Sequence, residues 1–521
     1  MKKYFTIIFF SLFVSMTFGQ QTSVVIDAVA NNGPLYYFHG KKVARTPSGL
    51  LMVVWVDRAL TGGQINYSVY DNDFDVWSPA AAVSSAADRA DKPAIAADEL
   101  GNIHASWQER ASSSAKYQIM YAKFDGISWS TPIKVSLQDT DNCEETSIEV
   151  DSRGYIWVVY NNDGAGAPNE FVWAVKSEDS GSTWSTIGEQ LSSSGLIDGS
   201  ITNGRCTLSA GADGKLVAIW HNGQPWDSAR REISANQYDG TSWQGEVMIS
   251  DTTTADRSAN WYPTVALDLA GNIYAIYHTN DVSTDSIRAR KMLVQKKEWD
   301  QTWDQSVTKV IDINYATDML GTSAVADSNG IIHLIYQRDA EDSNSIDENV
   351  YTYSADQGNT WSAPLAMNRA GYDAGYATMS NRVRKAYGID MVWRESYKPE
   401  VNDFDTTAVV YGNFPYDQLV SVSPNPVKPQ SYDLISGYPN PFNPSIKLDY
   451  NISQSGPVSI LIYDALGRIV RTLVNETKNS GGYASFWNGL NDSGHRMPSG
   501  VYIAVLRTGS TSSFFKMLML K

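Results

Sequence analysis

Apolar residues fall along this chain in short bursts with one recurring punctuation: a turn glycine, five mostly apolar residues, then a large aromatic. The copies run Gly49 to Trp55, Gly101 to Trp107, Gly154 to Tyr160, Gly214 to Trp220, Gly271 to Tyr277 and Gly330 to Tyr336. Gly388 to Trp393 is a seventh copy, one residue shorter. The glycines recur every fifty to sixty residues. A period of that size means a repeat architecture in which each unit buries its face against the next.

The second repeat is the clearest. Pro93 to Asp98 reads as a first strand and Asp98-Glu99-Leu100-Gly101 as a turn whose glycine takes positive φ. Asn102 to Trp107 is a second strand, apolar enough to be packed on both faces. Tyr117 to Phe124 follows, then a hairpin closing on Trp129, and Thr131 to Ser136 as a fourth strand. Four antiparallel strands in about fifty residues have the size of a propeller blade. Asp151 to Gly154, Asp268 to Gly271 and Asp327 to Gly330 repeat the first turn, and Trp77, Trp184, Trp243 and Trp361 the outer tryptophan. The last unit lacks a fourth strand, whereas Ser23 to Ala28 precedes the first complete unit. The N-terminal strand is therefore expected to complete the last of seven blades, removing two exposed sheet edges.

Two hairpins carry a more specific pattern. Ser177 to Trp184 and Ser354 to Trp361 both read Ser-x-Asp-x-Gly-x-Thr-Trp. The pattern resembles the Asp-box (BNR repeat) of sialidase-type propellers, and the resemblance covers roughly residues 22–414. In that family the box is a structural turn on the side away from the active site. The resemblance thus implies architecture and assigns no chemistry to Asp179 or Asp356.

From Pro415 the texture changes. Pro424-Asn425-Pro426-Val427-Lys428-Pro429 reads as an extended linker, because each proline restricts itself and its predecessor. Val458 to Tyr463 and Val501 to Arg507 are β-prone apolar runs bounded by turn residues. Pro439-Asn440-Pro441-Phe442-Asn443-Pro444, Asp464-Ala465-Leu466-Gly467-Arg468, Ser499-Gly500-Val501-Tyr502 and the terminal Lys521 follow in order. Residues 438–521 resemble the C-terminal sorting domain of the type IX secretion system, a small immunoglobulin-like β-sandwich. The resemblance implies passage through the outer membrane of a Bacteroidetes-like bacterium, followed by release or attachment to surface glycolipid. The fold expected is all-β: about seven propeller blades over 21–414, a linker over 415–437 and the sandwich over 438–521.

Charge and ends narrow the field. The formal net charge of −16, with no basic run, excludes a nucleic-acid binder. Lys2 and Lys3, the apolar Tyr4 to Phe13 and the exit Thr17-Phe18-Gly19 read as a signal peptide over 1–20. That apolar stretch is too short to span a bilayer, and no later segment resembles a transmembrane helix. A secreted or surface-attached protein is expected. Export permits a disulfide between Cys143 and Cys206, but two buried thiols fit the sequence as well.

In a propeller, the ends of the second strands and the starts of the first strands share one face. That mouth gathers Asp57 and Arg58, Glu109 and Arg110, Asn161 and Asn162, His221 and Asn222, His278 and Thr279, Arg338 and Asp339, and Arg394 and Glu395. Arg89, Glu144, Glu145, Arg205, Trp261, Tyr262 and Tyr376 join from the preceding loops. Such a mixture suits a polar, acidic ligand. Arg58, Arg110, Asn161, Trp226, Arg338 and Arg394 are the expected ligand-binding residues. The first reading is a surface propeller that binds extracellular polysaccharide, glycoprotein or another protein. The alternative is a glycan-cleaving enzyme. A sialidase needs three arginines on the substrate carboxylate and a Tyr–Glu pair, and no such pair can be assigned from spacing. A polysaccharide lyase needs a His or Tyr base and an Arg on the uronate, which His221, His278, Arg205 and Tyr262 offer as catalytic residues. No cofactor or metal is called for, since no phosphate loop or EF-hand pattern occurs and the two histidines lack further ligands at placeable spacing.

Overall fold

The computed structural model of the chain describes residues 17–18, 21–29, 35, 40–58, 63–72, 76–84, 88–163, 170–193, 202–223, 231–250, 259–281, 289–314, 319–339, 347–369, 372–397, 407–416, 434–438, 440–452, 455–464, 468–479, 481–508 and 511–520. It divides into two compact units, Met1–Val420 and Ser421–Lys521. No helix among the described residues is long and apolar enough to cross a membrane.

The first unit is a seven-bladed propeller. Blade 2 runs Arg89–Ala97, Ile103–Arg110, Gln118–Phe124 and Ile133–Lys134, paired in that order from the inside outward. The other inner strands are Val43–Arg45, Cys143–Val150, Thr202–Ala210, Ala259–Leu267, Met319–Ala326 and Tyr372–Met379 for blades 1 and 3 to 7. Each inner strand packs beside the next, and that of blade 7 returns to blade 1, so the ring is closed. Gln21–Val29 supplies the outer strand of blade 7, with Ser23 opposite Gly412 and Val25 opposite Val410. Blade 7 is thus built from both ends of the propeller sequence.

The second strands explain the apolar bursts. Leu51–Asp57 is buried along almost its whole length because its blade is covered on both faces by neighbours. Trp55, Trp107, Trp220 and Trp393 are all fully buried at the ends of these runs. The turn before each run needs its glycine for the backbone: Gly101 has φ +97 and open space where a Cβ would stand. Asp98 fixes that turn by accepting the N–H groups of Leu100 at 3.0 Å and Asn102 at 2.7 Å. Hydroxyls lace the inner strands together. Thr264 accepts the N–H of Ala324, Ser323 that of Met379 and Thr378 that of Lys42, each at 3.1 Å.

In the two Ser-x-Asp-x-Gly-x-Thr-Trp hairpins the aspartate does turn-capping work. Asp179 accepts Thr183 N–H at 2.7 Å and Thr183 Oγ1–H at 2.6 Å, and Asp356 accepts the Thr360 pair at 2.8 and 2.7 Å. Trp184 packs on Tyr121 of blade 2, with ring centres 4.8 Å apart. Cys143 and Cys206 are free and buried, in separate core clusters on either side of blade 3.

At the end away from the mouth, the loop between the first two strands of blade 7 crosses the ring. Asn381 donates to Glu149 of blade 3 at 2.8 Å, and Arg382 to the Val150 carbonyl at 2.9 Å and to Glu99 of blade 2 at 3.0 Å. Arg384 reaches the same Glu99 at 3.1 Å. Blade 3 is as far from blade 7 as a seven-membered ring allows, so this loop lies across the channel.

The second unit packs two sheets. One orders Leu434–Tyr438, Ile446–Ile452 and Gly481–Trp487; the other orders Ile469–Lys478, Gly456–Asp464, Gly500–Thr508 and Thr511–Met519. Phe442, Trp487 and Tyr502 form the aromatic centre between them, with ring centres 5.5 and 4.9 Å apart. The region expected to be the linker lies largely outside the described residues.

Candidate functional site

A bulge interrupts the inner strand of blades 2 to 7 near its mouth end, seen as register shifts at Asp91/Ala94, Glu144/Ser147, Gly204/Thr207, Trp261/Thr264, Leu320/Thr322 and Gly375/Thr378. Bulges of this kind re-aim a side chain. In five of these blades the bulge holds a non-glycine residue in the left-handed region: Lys92 (φ 52°), Glu145 (57°), Arg205 (57°), Tyr262 (48°) and Tyr376 (59°). Each such residue costs roughly 1–2 kcal/mol, and the surrounding structure has to hold that strain at one rim. Gly321 stands at the corresponding place in blade 6.

Four of these residues touch in sequence along the mouth. Lys92 Nζ lies 3.0 Å from Glu144 Oε2 and 3.3 Å from Glu145 Oε1. Glu145 Oε2 accepts the backbone N–H of Arg205 at 2.8 Å. The Arg205 guanidinium lies over the Tyr262 ring, 4.0 Å from its centre. Among the described residues it has no carboxylate partner. Behind Tyr262 stands His278, ring centres 5.3 Å apart, and Trp261 lies 6.3 Å from His221. The structure therefore brings Arg205, Tyr262, His221 and His278 to one stretch of rim across blades 4 and 5. The two histidines are only 6 % and 1 % exposed, whereas Tyr262 and Arg205 are part-exposed. The groups open to a ligand are the tyrosine and the arginine.

The expected ligand-binding arginines are placed differently. Arg58 meets both Asp91 oxygens at 2.9 Å, Arg110 meets Asp88 at 2.9 Å, and Arg394 meets Asp373 at 2.8 Å. Arg338 meets Glu348 at 2.7 Å and Asp312 at 3.2 Å. Each is neutralised within the protein. Asn161 is 7 % exposed and its Oδ1 finds no hydrogen-bond partner among the described residues. Trp226 lies outside the described residues.

Three groups of the rim escape the sequence reading. Lys92, Glu145, Arg205 and Tyr262 each stand fifteen residues before the repeated aromatic of their own blade, a spacing that would have found Lys92. Gln108 and Gln337 directly follow the aromatic and support the next blade: Gln108 accepts the Glu145 N–H at 3.1 Å and Gln337 that of Tyr376 at 3.4 Å. Glu170 opens the third strand of blade 3 opposite Asp163 and carries no sequence signal. Burial, then the charges of Glu145, Glu144 and Asp163, push its carboxyl up to about 8, against the pull of Lys92. No group of three or more His, Cys, Asp or Glu side chains fit to hold a metal occurs among the described residues.

Comparison with known proteins defines the class as a propeller followed by an immunoglobulin-like module. Residues 444–511 match the FlgD Ig-like domain family. The polysaccharide lyase Uly1 is similar in structure at 10% identity, over 74% of this chain and 91% of its own, with a TM-score of 0.50. The NanB sialidase of Streptococcus pneumoniae follows at 13% identity over 75% and 70%, TM-score 0.40. An alpha-L-arabinanase of Penicillium chrysogenum follows at 13% identity over 61% and 92%, TM-score 0.42. No curated protein matches the chain. At these identities the likeness is one of fold.

Proposed function

We propose that this protein is exported to the cell exterior, binds a uronate-containing polysaccharide at the propeller mouth and cleaves it by β-elimination. The observation that carries the reading is Arg205, whose guanidinium, with no carboxylate partner among the described residues, is held in a left-handed bulge 4.0 Å over Tyr262. A cation there neutralises the uronate carboxylate and so acidifies the proton on the adjacent C5. Tyr262, acting in its phenolate form, takes that proton on its oxygen. As the C4=C5 double bond forms, the C4–O bond breaks, its electron pair leaves on the glycosidic oxygen, and Tyr262 returns the proton to that oxygen. His221 and His278, packed behind the aromatic rings, orient Trp261 and Tyr262. The likeness in fold to a polysaccharide lyase is in keeping with this reading. A sialidase reading gains less support, because Arg58, Arg110, Arg338 and Arg394 are already held by carboxylates.

For export, residues 1–20 serve as signal peptide and 438–521 as the type IX sorting domain, the latter supported by the order of its motifs and its sandwich fold. The two Asp-box hairpins belong to the scaffold. The function is tested by incubating the secreted protein with a panel of uronate polysaccharides and following the ultraviolet absorbance of unsaturated uronate. Arg205→Ala and Tyr262→Phe each abolish the signal. Binding on a glycan array with no absorbance change from wild type replaces the lyase reading with that of a binding propeller.

A further inference from the structure

We infer that Glu145 is a positioning residue that sets the Arg205 guanidinium for an anionic ligand. The inference rests on the reading of the mouth as a uronate site. A carboxylate beside an anion-binding arginine would ordinarily quench it by pairing with the guanidinium. Glu145 does otherwise. Its Oε2 accepts the backbone N–H of Arg205 at 2.8 Å, while its Oε1 faces Lys92 Nζ at 3.3 Å. The lysine answers the carboxylate charge, and the carboxylate fixes the turn at Arg205, leaving the guanidinium over Tyr262. Charge-assisted bonds to a backbone N–H are among the stronger ones, and here the bond holds a left-handed φ of 57° that arginine does not favour. Glu145 occupies a left-handed bulge of its own, also at 57°.

Gly204 makes the approach possible. A Cβ there would stand 3.2 Å from Glu145 Oε2 and 3.0 Å from His221 Nε2. Both side chains therefore close on the same bare backbone just before Arg205. The acid, the imidazole and the bulge form one unit spanning blades 3 and 4.

The test is a double-mutant cycle on dissociation constants for a uronate oligosaccharide and its carboxyl-reduced counterpart, with every protein, the reference included, carrying Tyr262→Phe so that the sugar is bound and not cleaved. Glu145→Ala is expected to weaken uronate binding at least tenfold and to change binding of the reduced sugar less than twofold. Glu145→Gln keeps an oxygen for the Arg205 N–H and stays within threefold of the reference. In an Arg205→Ala background, Glu145→Ala adds less than twofold. Effects that multiply, or a glutamine as harmful as alanine, overturn the inference. If the alanine variant does not fold, Glu145→Met, of similar length but without an acceptor, takes its place. A crystal structure of the variant gives a readout free of any ligand: Arg205 leaves the left-handed region and its guanidinium leaves Tyr262. An unchanged Arg205 overturns the inference. A reference that binds no uronate overturns the functional reading instead, and the variant structure then decides the role of Glu145 alone.

Discussion

Arg45 and Asp390 meet through two hydrogen bonds of 2.8 Å, although they stand 345 positions apart in the sequence. Arg45 belongs to the inner strand of blade 1 and Asp390 to the second strand of blade 7, so the pair sits on the seam where the ring closes. Tyr411 donates to the same carboxylate at 2.7 Å. Both charged side chains are almost wholly buried.

Removing one partner of such a pair leaves a buried charge uncompensated, at a cost of roughly 3–5 kcal/mol. Arg45→Ala is therefore expected to lower the melting temperature sharply. The double change Arg45→Met with Asp390→Leu recovers much of the loss, because the apolar pair fills the seam without a charge to desolvate. Thermal unfolding followed by circular dichroism reads both. A single variant that melts with wild type would show that the seam is held by its other contacts.

Glu170 gives the stability a pH signature. In the unfolded chain it ionises at the ordinary value of 4.5; in the fold it keeps its proton up to about 8. Below 4.5 both states are protonated and the contribution is complete. Between the two values only the unfolded chain gives up the proton, so stability falls as pH rises and the loss is complete above 8. Glu170→Gln is expected to match wild type near pH 4 and to melt higher near pH 9. Equal melting curves at both pH values would mean that Glu170 ionises normally.

Gly204 has no side chain to place between His221 and Glu145. Its φ lies outside the left-handed region, so alanine is resisted by crowding alone. Gly204→Ala is expected to fold and to lose at least tenfold in kcat/KM on the uronate substrate. Full activity would show that the two side chains have room to yield.

Trp487 is fully buried between the sheets of the second unit and donates its indole N–H to the Leu490 carbonyl at 2.9 Å. Trp487→Ala opens a cavity costing about 3–5 kcal/mol, enough to unfold a domain of this size. Limited proteolysis is expected to remove the C-terminal unit and spare the propeller, and secretion should fail with it. Survival of the unit under protease would contradict the account of its core.

The blades were legible because their signals are local: a left-handed glycine, a buried run and a terminal aromatic repeat within a few residues. The pairing of Gln21–Val29 with blade 7 was legible too, since one strand was in excess at one end and missing at the other. The rim was less so. Nothing in Lys92 or Glu145 as residue types announces positive φ, which comes from the bulge the tertiary structure imposes. Nor does a sequence say which arginines are spoken for. The partner Asp312 of Arg338 comes from the outer strand of the preceding blade, a neighbour fixed only once the ring has formed.

The loop of blade 7 that spans to Glu149 and Glu99 turns the central passage into a blind well. A long glycan cannot be drawn through it as thread through a bead. On the proposed lyase reading, the polymer lies over the opening and presents one linkage, and after scission both fragments depart from the side by which the strand arrived.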